Sequence, residues 1–407
     1  MKARSLCKVI NRAIKTFPVI VITGPRQSGK TTLVKSLQNK KYTYVNLEDI
    51  NIRTRAKSDP VSFLDQYKRP LIIDEVQYVP ELLSYIKLAV DENRKAGQWI
   101  LTGSQNFVLM KGVSESLAGR AAILSLLPFS LAERIGFGDK TRLVNEFLKK
   151  PILNQSLKKK VSISELILRG NYPEIANNKR VDRQLWCASY INTYLERDIR
   201  NLTQVGDLNQ FERFLRLCAT RTGQILNISE IGKEIGVAVN TAKRWLSLLE
   251  TGYQIYLLYP YYKNIGKRLI KSPKLYFIDT GLASFLLGLH DRQTLLNSPS
   301  FPHLFETFVI VDFWKRFFHG GQMPSMYYLR TRDGLEVDLV IEEREKLHFF
   351  EIKSSMTALP KYADSLLKAK SGLGKLVEDS AVLSRSEESF ELKKGIKNYS
   401  WLDVLSK

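Results

Sequence analysis

The chain has 407 residues, of which 44% are hydrophobic, and its 62 lysine and arginine residues outnumber 41 acidic ones, giving a formal net charge of +21. This length can build the cores of about two to four domains, while the dispersed Cys7, Cys187 and Cys218 exclude a disulfide framework and a cysteine-based metal site. Neither a signal peptide nor an apolar run long enough to span a membrane is present, so we expect a cytoplasmic protein without a membrane partner.

The first predicted strand lies in the sequence FPVIVITGPRQSGKTT at residues 17–32, where an apolar run leads directly into a glycine-containing loop. This segment satisfies the pattern G-x-x-x-x-G-K-[ST], in which the glycines let backbone N–H groups wrap a β-phosphate. The helix that follows turns its positive N-terminus toward the same anion. Lys30 is predicted to reach the β- and γ-phosphates, and the Thr31 hydroxyl is predicted to complete a Mg²⁺ shell. The predicted ATP-binding residues are Gly24, Pro25, Arg26, Gln27, Ser28, Gly29, Lys30, Thr31 and Thr32.

A second apolar strand, RPLIIDEV at residues 69–76, ends in two carboxylates. Asp74 is predicted to hold Mg²⁺, directly or through water, and Glu75 is predicted to polarise the attacking water. A strand that simply ends in solvated acids is the alternative. Because binding alone needs only the aspartate, the Asp-Glu pair favours hydrolysis.

Two further positions complete the predicted catalytic set. The strand QWILT at residues 98–102 is followed by Ser104 and Gln105, either of which would orient the water or contact the γ-phosphate, unless the segment is an ordinary polar loop. Arg120, at the end of SLAGR, is predicted to act as an arginine finger across a subunit interface, with a plain surface arginine as the alternative. This role predicts a homo-oligomer.

These segments resemble the AAA+-type ATPases, in particular a large prokaryotic group with a C-terminal domain of unknown function. The resemblance rests on GPRQSGKT, LIIDEVQ, LTGSQ, and LAGR followed by LPFSLAE. It continues through TYLERD, KSPKLYFIDTGL, EVDLVIE and FFEIKSS, and so covers nearly the whole chain. It implies ATP and Mg²⁺ as cofactors, but it supplies no substrate.

The predicted fold class is α/β, with four regions along the chain. Residues 1–135 alternate strand and helix signals, as expected for a doubly wound P-loop ATPase domain with strands near 19–23, 42–47, 70–73, 98–102 and 122–126. Residues 136–206 are predicted to form a helical lid or linker that resembles a cover over the nucleotide. A turn is expected at 170–174, followed by a helix through Tyr194, Arg197 and Asp198.

Residues 207–290 have the pattern of a winged helix. Ser229 is a predicted N-cap for a first helix, a second helix runs from about Val239 to Glu250, and a strand, a basic loop and a returning strand follow. In the DNA-binding interpretation the second helix faces the major groove with Asn240, Thr241, Lys243 and Arg244. Lys263, Lys267, Arg268 and Lys271 of the loop would then meet phosphates. The alternative is a protein-interaction module.

Residues 291–407 are predicted to form a restriction-endonuclease-like α/β domain. A hairpin turns at Asp333-Gly334, and a third strand brings Glu351 and Lys353 to the face that Asp338 occupies. With the helical Glu306, this set resembles the PD-(D/E)xK nuclease arrangement, in which carboxylates hold Mg²⁺ and a lysine stabilises developing charge. A salt-bridged hairpin is the alternative.

The charge distribution favours nucleic acid as the partner. Residues 136–290 contain 24 lysine and arginine residues against 13 acidic ones, whereas residues 291–407 contain 17 of each. We therefore predict an ATP-hydrolysing protein that couples its nucleotide cycle to a partner, and the basic charge favours DNA as that partner. Two other functions stay open: a nucleotide-dependent signalling switch that recruits proteins, and an ATP-regulated, Mg²⁺-dependent nuclease in defence or DNA processing.

Overall fold

The computed structural model describes residues 2–38, 42–104, 113, 115–141, 144, 161–194, 199, 208–262 and 271–406. The chain divides into two compact units. The first unit comprises Met1–Phe129, Thr251–Tyr253 and Phe318–Gln322, and the second comprises Ser130–Glu250, Gln254–Phe317 and Met323–Lys407. In the described part of the chain, no helix combines the length and the apolar character needed to cross a membrane.

The first unit is built on a parallel sheet of five strands in the order β2-β3-β4-β1-β5. The strands are β1 (Val19–Thr23), β2 (Thr43–Asn46), β3 (Leu71–Asp74), β4 (Trp99–Thr102) and β5 (Ala121–Ser125). All five were predicted from the sequence, and all five are confirmed within one or two residues. Because β4 lies between β1 and β3, the carboxyl end of β4 separates the two predicted phosphate motifs.

Helices pack on both faces of this sheet, so β1 is buried along its whole length. Val19 and Val21 belong to one hydrophobic core, whereas Ile20 and Ile22 belong to the core on the other face. A strand buried on both faces reads as an uninterrupted apolar run, as the sequence VIVI does. The helices of this unit are α1 (Leu6–Ala13), α2 (Lys30–Gln38), α3 (Ile50–Ser58), α4 (Pro60–Gln66) and α5 (Leu82–Glu92).

The second unit begins with short helices in the region predicted to be a lid. They are α6 (Leu131–Arg134), α7 (Ile163–Arg169), α8 (Pro173–Asn177) and α9 (Arg183–Thr193). Between α7 and α8 the chain turns at Gly170, as predicted, and a Cβ there would lie 2.0 Å from an oxygen of Asp279. The buried Arg134 donates to the Gly170 carbonyl at 2.5 Å. Arg197 and Asp198 lie outside the described residues, and the lid assignment stays a prediction.

Three helices and a small antiparallel sheet follow in the same unit. The helices are α10 (Leu208–Thr220), α11 (Ile228–Ile235) and α12 (Val239–Thr251), and the sheet order is β6-β8-β7, with β6 (Gln224–Ile225), β7 (Ile255–Leu258) and β8 (Lys274–Phe277). The predicted N-cap at Ser229 is wrong. The Asn227 side chain caps α11 instead, because it reaches the backbone N–H of Glu230 at 3.3 Å.

The C-terminal part of the second unit carries a six-stranded sheet in the order β13-β14-β12-β11-β10-β9. The strands are β9 (Met326–Arg330), β10 (Glu336–Glu343), β11 (Lys346–Lys353), β12 (Val377–Ser384), β13 (Phe390–Lys393) and β14 (Ile396–Ser400). The helices that precede or accompany them in the chain are α13 (Thr280–Leu286), α14 (Arg292–Asn297), α15 (Phe301–His319), α16 (Asp364–Leu373) and α17 (Trp401–Leu405). The predicted hairpin is confirmed, and Gly334 turns it with a φ of +81°. The strands β9, β10 and β11 pair antiparallel, which places Asp338 beside the end of β11.

Candidate functional site

The predicted phosphate loop, residues 24–31, forms a tight curve between β1 and α2. Gly24 has a φ of +142°, and a Cβ there would lie 2.1 Å from the Leu126 carbonyl oxygen, so only glycine fits. The Lys30 ammonium, on a side chain that is 5% exposed, lies inside the curve and donates to the carbonyls of Gly24 and Pro25 at 2.9 and 2.8 Å. The loop therefore holds a positive charge next to the N-terminus of a helix, where an anion is favoured.

The other predicted ATP-binding residues lie on the same curve. Ser28 is fully buried, and its hydroxyl has no hydrogen-bond partner within the described residues. Gln27 adopts a positive φ of 59°, whereas Thr31 and Thr32 stand in the first turn of α2. Their backbone N–H groups belong to the helix end that has no intrahelical acceptors. Free amides, a buried ammonium and a threonine hydroxyl fit a nucleotide phosphate with its magnesium ion.

Asp74, at the end of β3, is fully buried, and hydroxyl groups occupy both of its carboxylate oxygens. Thr102, at the end of β4, donates to one oxygen, and the Tyr44 hydroxyl donates to the other at 2.7 Å. Thr102 also accepts a hydrogen bond from the backbone N–H of Glu75 at 3.1 Å. The burial of Tyr44 and its bond to Asp74 raise the pKa of its phenol. Sequence reasoning missed Thr102 and Tyr44, although Thr102 ends a strand that was singled out.

Glu75 lies just beyond β3 in a left-handed conformation with a φ of 59°, and it is 8% exposed. One carboxylate oxygen accepts from the Ser104 hydroxyl at 3.2 Å and from the Gln77 amide. The structure thus brings together three of the predicted residues, Asp74, Glu75 and Ser104. Gln105, the alternative to Ser104, lies outside the described residues.

Arg120 lies at the amino ends of the strands, away from the carboxyl ends that carry the predicted phosphate motifs. It precedes β5, and its carbonyl accepts from the backbone N–H of Val19 at the start of β1. Its guanidinium makes a bidentate ion pair with Asp91, at 2.6 and 2.9 Å. Since β1 runs five residues from Val19 to the phosphate loop, at about 3.3 Å per residue, Arg120 is too far away to serve the phosphate loop of its own chain. Any catalytic role must be played in another subunit.

Two side chains from distant segments support the loop, and neither was predicted. Arg4 is 5% exposed, and its guanidinium donates to the carbonyls of Ser28 at 2.8 Å and Leu127 at 2.6 Å. The Tyr253 hydroxyl lies 2.9 Å from that of Ser125 and also bonds the Thr23 side chain, the last residue before Gly24. Tyr253 thereby links the carboxyl ends of β1 and β5 by hydrogen bonds to the last residue of each strand.

The predicted DNA contacts are only partly described, since Lys263, Lys267 and Arg268 lie outside the described residues. One face of α12 is buried, and Trp245 packs edge-on against Phe211 and Phe214 at 5.3 and 5.6 Å between ring centroids. The opposite face exposes a row with helical spacing, which we call the α12 stripe and which consists of Asn240, Lys243, Arg244 and Ser247. Thr241 is half-buried, and Lys271 is exposed before β8.

The predicted nuclease residues meet in a buried ion cluster of four acids and two lysines: Lys274, Glu306, Glu336, Asp338, Glu351 and Lys353. Lys353 contacts Glu351 at 2.5 Å and Asp338 at 3.6 Å. The sequence did not predict Lys274, which is 3% exposed and lies 2.6 Å from Glu336, 3.4 Å from Glu306 and 3.8 Å from Asp338. Its only sequence signal was its place in the family-like segment KSPKLYFIDTGL.

Burial sets the electrostatics of this cluster. Burial and the charge of Asp338 raise the pKa of Glu306 to about 7 and that of Glu351 to about 8. Burial opposes the charge of Lys274, but its three carboxylate neighbours outweigh that effect and raise its pKa. Within the described residues, no three Asp, Glu, His or Cys side chains converge so as to hold a metal ion. A divalent ion does not fit this arrangement, because an ammonium already lies among the carboxylates.

Family models match three parts of the chain. Residues 16–135 match an AAA domain, residues 160–293 match a domain of unknown function (DUF8612), and residues 301–403 match another domain of unknown function (DUF4143). The uncharacterized protein Rv2008c of Mycobacterium tuberculosis is 30% identical over 360 residues, which cover 88% of this chain and 75% of that protein. The uncharacterized protein MJ1544 of Methanocaldococcus jannaschii is 26% identical over 368 residues, covering 82% of this chain and 75% of that protein.

Solved structures show weaker likeness. A Walker-type ATPase of Pyrococcus abyssi has 15% identity and a TM-score of 0.43, covering 69% of this chain and 94% of its own. The RuvB Holliday junction branch migration motor of Thermotoga maritima has 16% identity and a TM-score of 0.29, covering 62% of this chain and 88% of its own. These scores are too low to carry a conclusion about function.

Proposed function

The chain belongs to the same family as the mycobacterial protein Rv2008c, and from that premise we propose that it binds and hydrolyses ATP with Mg²⁺ and couples this cycle to DNA. The observation that carries the proposal is the contact between Ser104 and Glu75, beside the buried Asp74, at the carboxyl ends of the neighbouring strands β4 and β3. The phosphate loop with Lys30 follows β1, the strand on the other side of β4. Each of these residue types has a task in phosphoryl transfer. The match of residues 16–135 to an AAA domain supports the same conclusion.

In the proposed reaction the loop amides and Lys30 hold the β- and γ-phosphates. Thr31 and Asp74 would hold the magnesium ion, and Thr102 and Tyr44 orient the Asp74 carboxylate by donating to its two oxygens. When bound, Mg²⁺ neutralises charge on the phosphates. Glu75 accepts a proton from water as the water oxygen attacks the γ-phosphorus and the bond to ADP breaks. Ser104 orients Glu75 for this step, as their 3.2 Å contact suggests.

The proposed DNA contact rests on the α12 stripe. Lys243 and Arg244 are exposed, and neither has an ion-pair partner among the described residues, so both charges are available to phosphates. The surrounding region, residues 136–290, has 24 basic against 13 acidic residues. Contacts to phosphates make binding strongly dependent on salt, with a log–log slope of about −0.9 per phosphate neutralised.

Phosphate release from ATP, measured with and without double-stranded DNA, tests the proposal. The wild type should hydrolyse ATP faster with DNA, and the Lys243→Glu/Arg244→Glu variant should lose the stimulation but keep the basal rate. Lys368→Glu/Lys397→Glu reverses two exposed lysines of the charge-neutral C-terminal region and serves as the matched control. Slow ATP hydrolysis at a rate that DNA does not change, together with nucleotide that stays bound through purification, would instead favour the signalling switch.

A further inference from the structure

The buried ion cluster has the residue types of a metal-dependent nuclease centre, but the Lys274 ammonium already lies among its carboxylates. We propose that the Lys274 ammonium takes the place of a divalent ion in this cluster, so that the C-terminal sheet carries a metal-free ion cluster rather than a Mg²⁺-dependent cleavage centre. The proposal is independent of ATP hydrolysis, because Lys274 belongs to the second unit and the phosphate loop belongs to the first.

The geometry around Lys274 supports this role. The Nζ atom lies between carboxylates that come from two different elements, Glu306 of α15 and Glu336 and Asp338 of β10. Its side chain is only 4% exposed, so water contributes little to the solvation of the charge. A buried ammonium is stable only when anions surround it, and this position supplies three. A divalent ion bound to the same oxygens would lie beside the ammonium and be repelled by it.

Other groups of the chain also bind the cluster carboxylates. One oxygen of Asp338 accepts the backbone N–H of Ile352 at 2.8 Å, and the Tyr276 hydroxyl donates to Glu306 at 2.6 Å. Lys353 bonds one oxygen of Glu351 at 2.5 Å. The second oxygen of Glu351 is buried and has no hydrogen-bond partner among the described residues.

Side chains of the protein already supply cations to the cluster. The four acids face Lys274, Lys353 and Arg330, whose guanidinium lies 3.9 Å from Glu336. Removal of Lys274 would take away the nearest cation of Glu306 and Glu336, and a divalent cation could then replace the ammonium. The proposal therefore predicts that metal binding appears only when the lysine is removed.

The experiment counts bound Mn²⁺ by electron paramagnetic resonance on the full, nucleotide-free chain. The wild type and Asp338→Asn should bind equally little Mn²⁺, because the cluster takes none. Lys274→Met should melt at a lower temperature and bind Mn²⁺ at least about tenfold more tightly than the wild type. Mn²⁺ should restore its melting temperature, and adding Asp338→Asn should abolish that rescue. Lys274→Arg keeps the charge and is the control that should gain no Mn²⁺ binding.

Two results would overturn the proposal: stoichiometric Mn²⁺ binding by the wild type that Asp338→Asn removes, or Mn²⁺ binding by Lys274→Met no tighter than that of the wild type. If Lys274→Met alone does not fold, the double variant Lys274→Met/Glu306→Gln removes one cation and one anion together. If the double variant folds, that result would support Lys274 as the counter-ion of the cluster. If the double variant does not fold although Lys274→Arg is soluble, the lysine stem rather than its charge is required, and that result would count against the proposal.

Discussion

Substituting Gly24 by alanine probes the phosphate loop at its most constrained point. The new Cβ would lie 2.1 Å from the Leu126 carbonyl oxygen, in a backbone conformation with a φ of +142°. The strained conformation costs about 1–3 kcal/mol, and the overlap adds about 1–3 kcal/mol. The loop can avoid both costs only by giving up the conformation that would bind the phosphates. The combined cost of at least about 2 kcal/mol should therefore lower ATP affinity by at least about 30-fold, since each 1.4 kcal/mol corresponds to a factor of ten.

Isothermal titration with ATP and Mg²⁺ measures this loss, and a thermal melt beside it detects general unfolding. Gly119→Ala is the matched control, because Gly119 also has a positive φ, +71°, but a Cβ there meets no atom within 4 Å. It should cost about 1 kcal/mol of stability and leave ATP affinity unchanged. Equal ATP affinities in wild type and Gly24→Ala would refute the loop assignment.

Three further predictions concern other parts of the molecule. Mixing inactive Arg120→Ala with inactive Glu75→Gln should restore part of the ATP turnover if Arg120 acts in trans, and no rescue in confirmed oligomers would reject that role. Arg4→Ala should weaken ATP binding about tenfold, since a buried charged hydrogen bond is worth about 1.5–3 kcal/mol; calorimetry that finds wild-type affinity would contradict it. Between about pH 5 and 8 the melting temperature should fall, because Glu306 and Glu351, with pKa values of about 7 and 8, hold protons in the folded state that the unfolded chain releases. Glu351→Gln should flatten that profile, and a melting temperature that rises with pH would count against the proton-bearing cluster.

The sequence predicted the ATPase sheet well because its signals are local. A strand buried on both faces is an apolar run, as in VIVIT, and the glycines and lysine of the phosphate loop follow it at once. The nuclease-like hairpin was equally visible, because Asp333-Gly334 separates two alternating strands. Its Glu351 and Lys353 share a face by strand periodicity alone.

Long-range contacts escaped prediction. Lys274 stands 32 positions before Glu306 and 64 before Asp338, and no spacing rule connects residues on separate elements. Arg4 is likewise 24 positions from Ser28, whose carbonyl it binds. Such partners are determined by tertiary packing, so the sequence indicated which acids would cluster but not which cation would neutralise them.

Single-turnover ATP hydrolysis by Glu75→Gln tests the central claim most directly. The amide keeps the size of the side chain but cannot take a proton from water. The variant should therefore bind ATP with wild-type affinity and hydrolyse it at least about 100-fold more slowly. Hydrolysis by Glu75→Gln at the wild-type rate would contradict the proposed site.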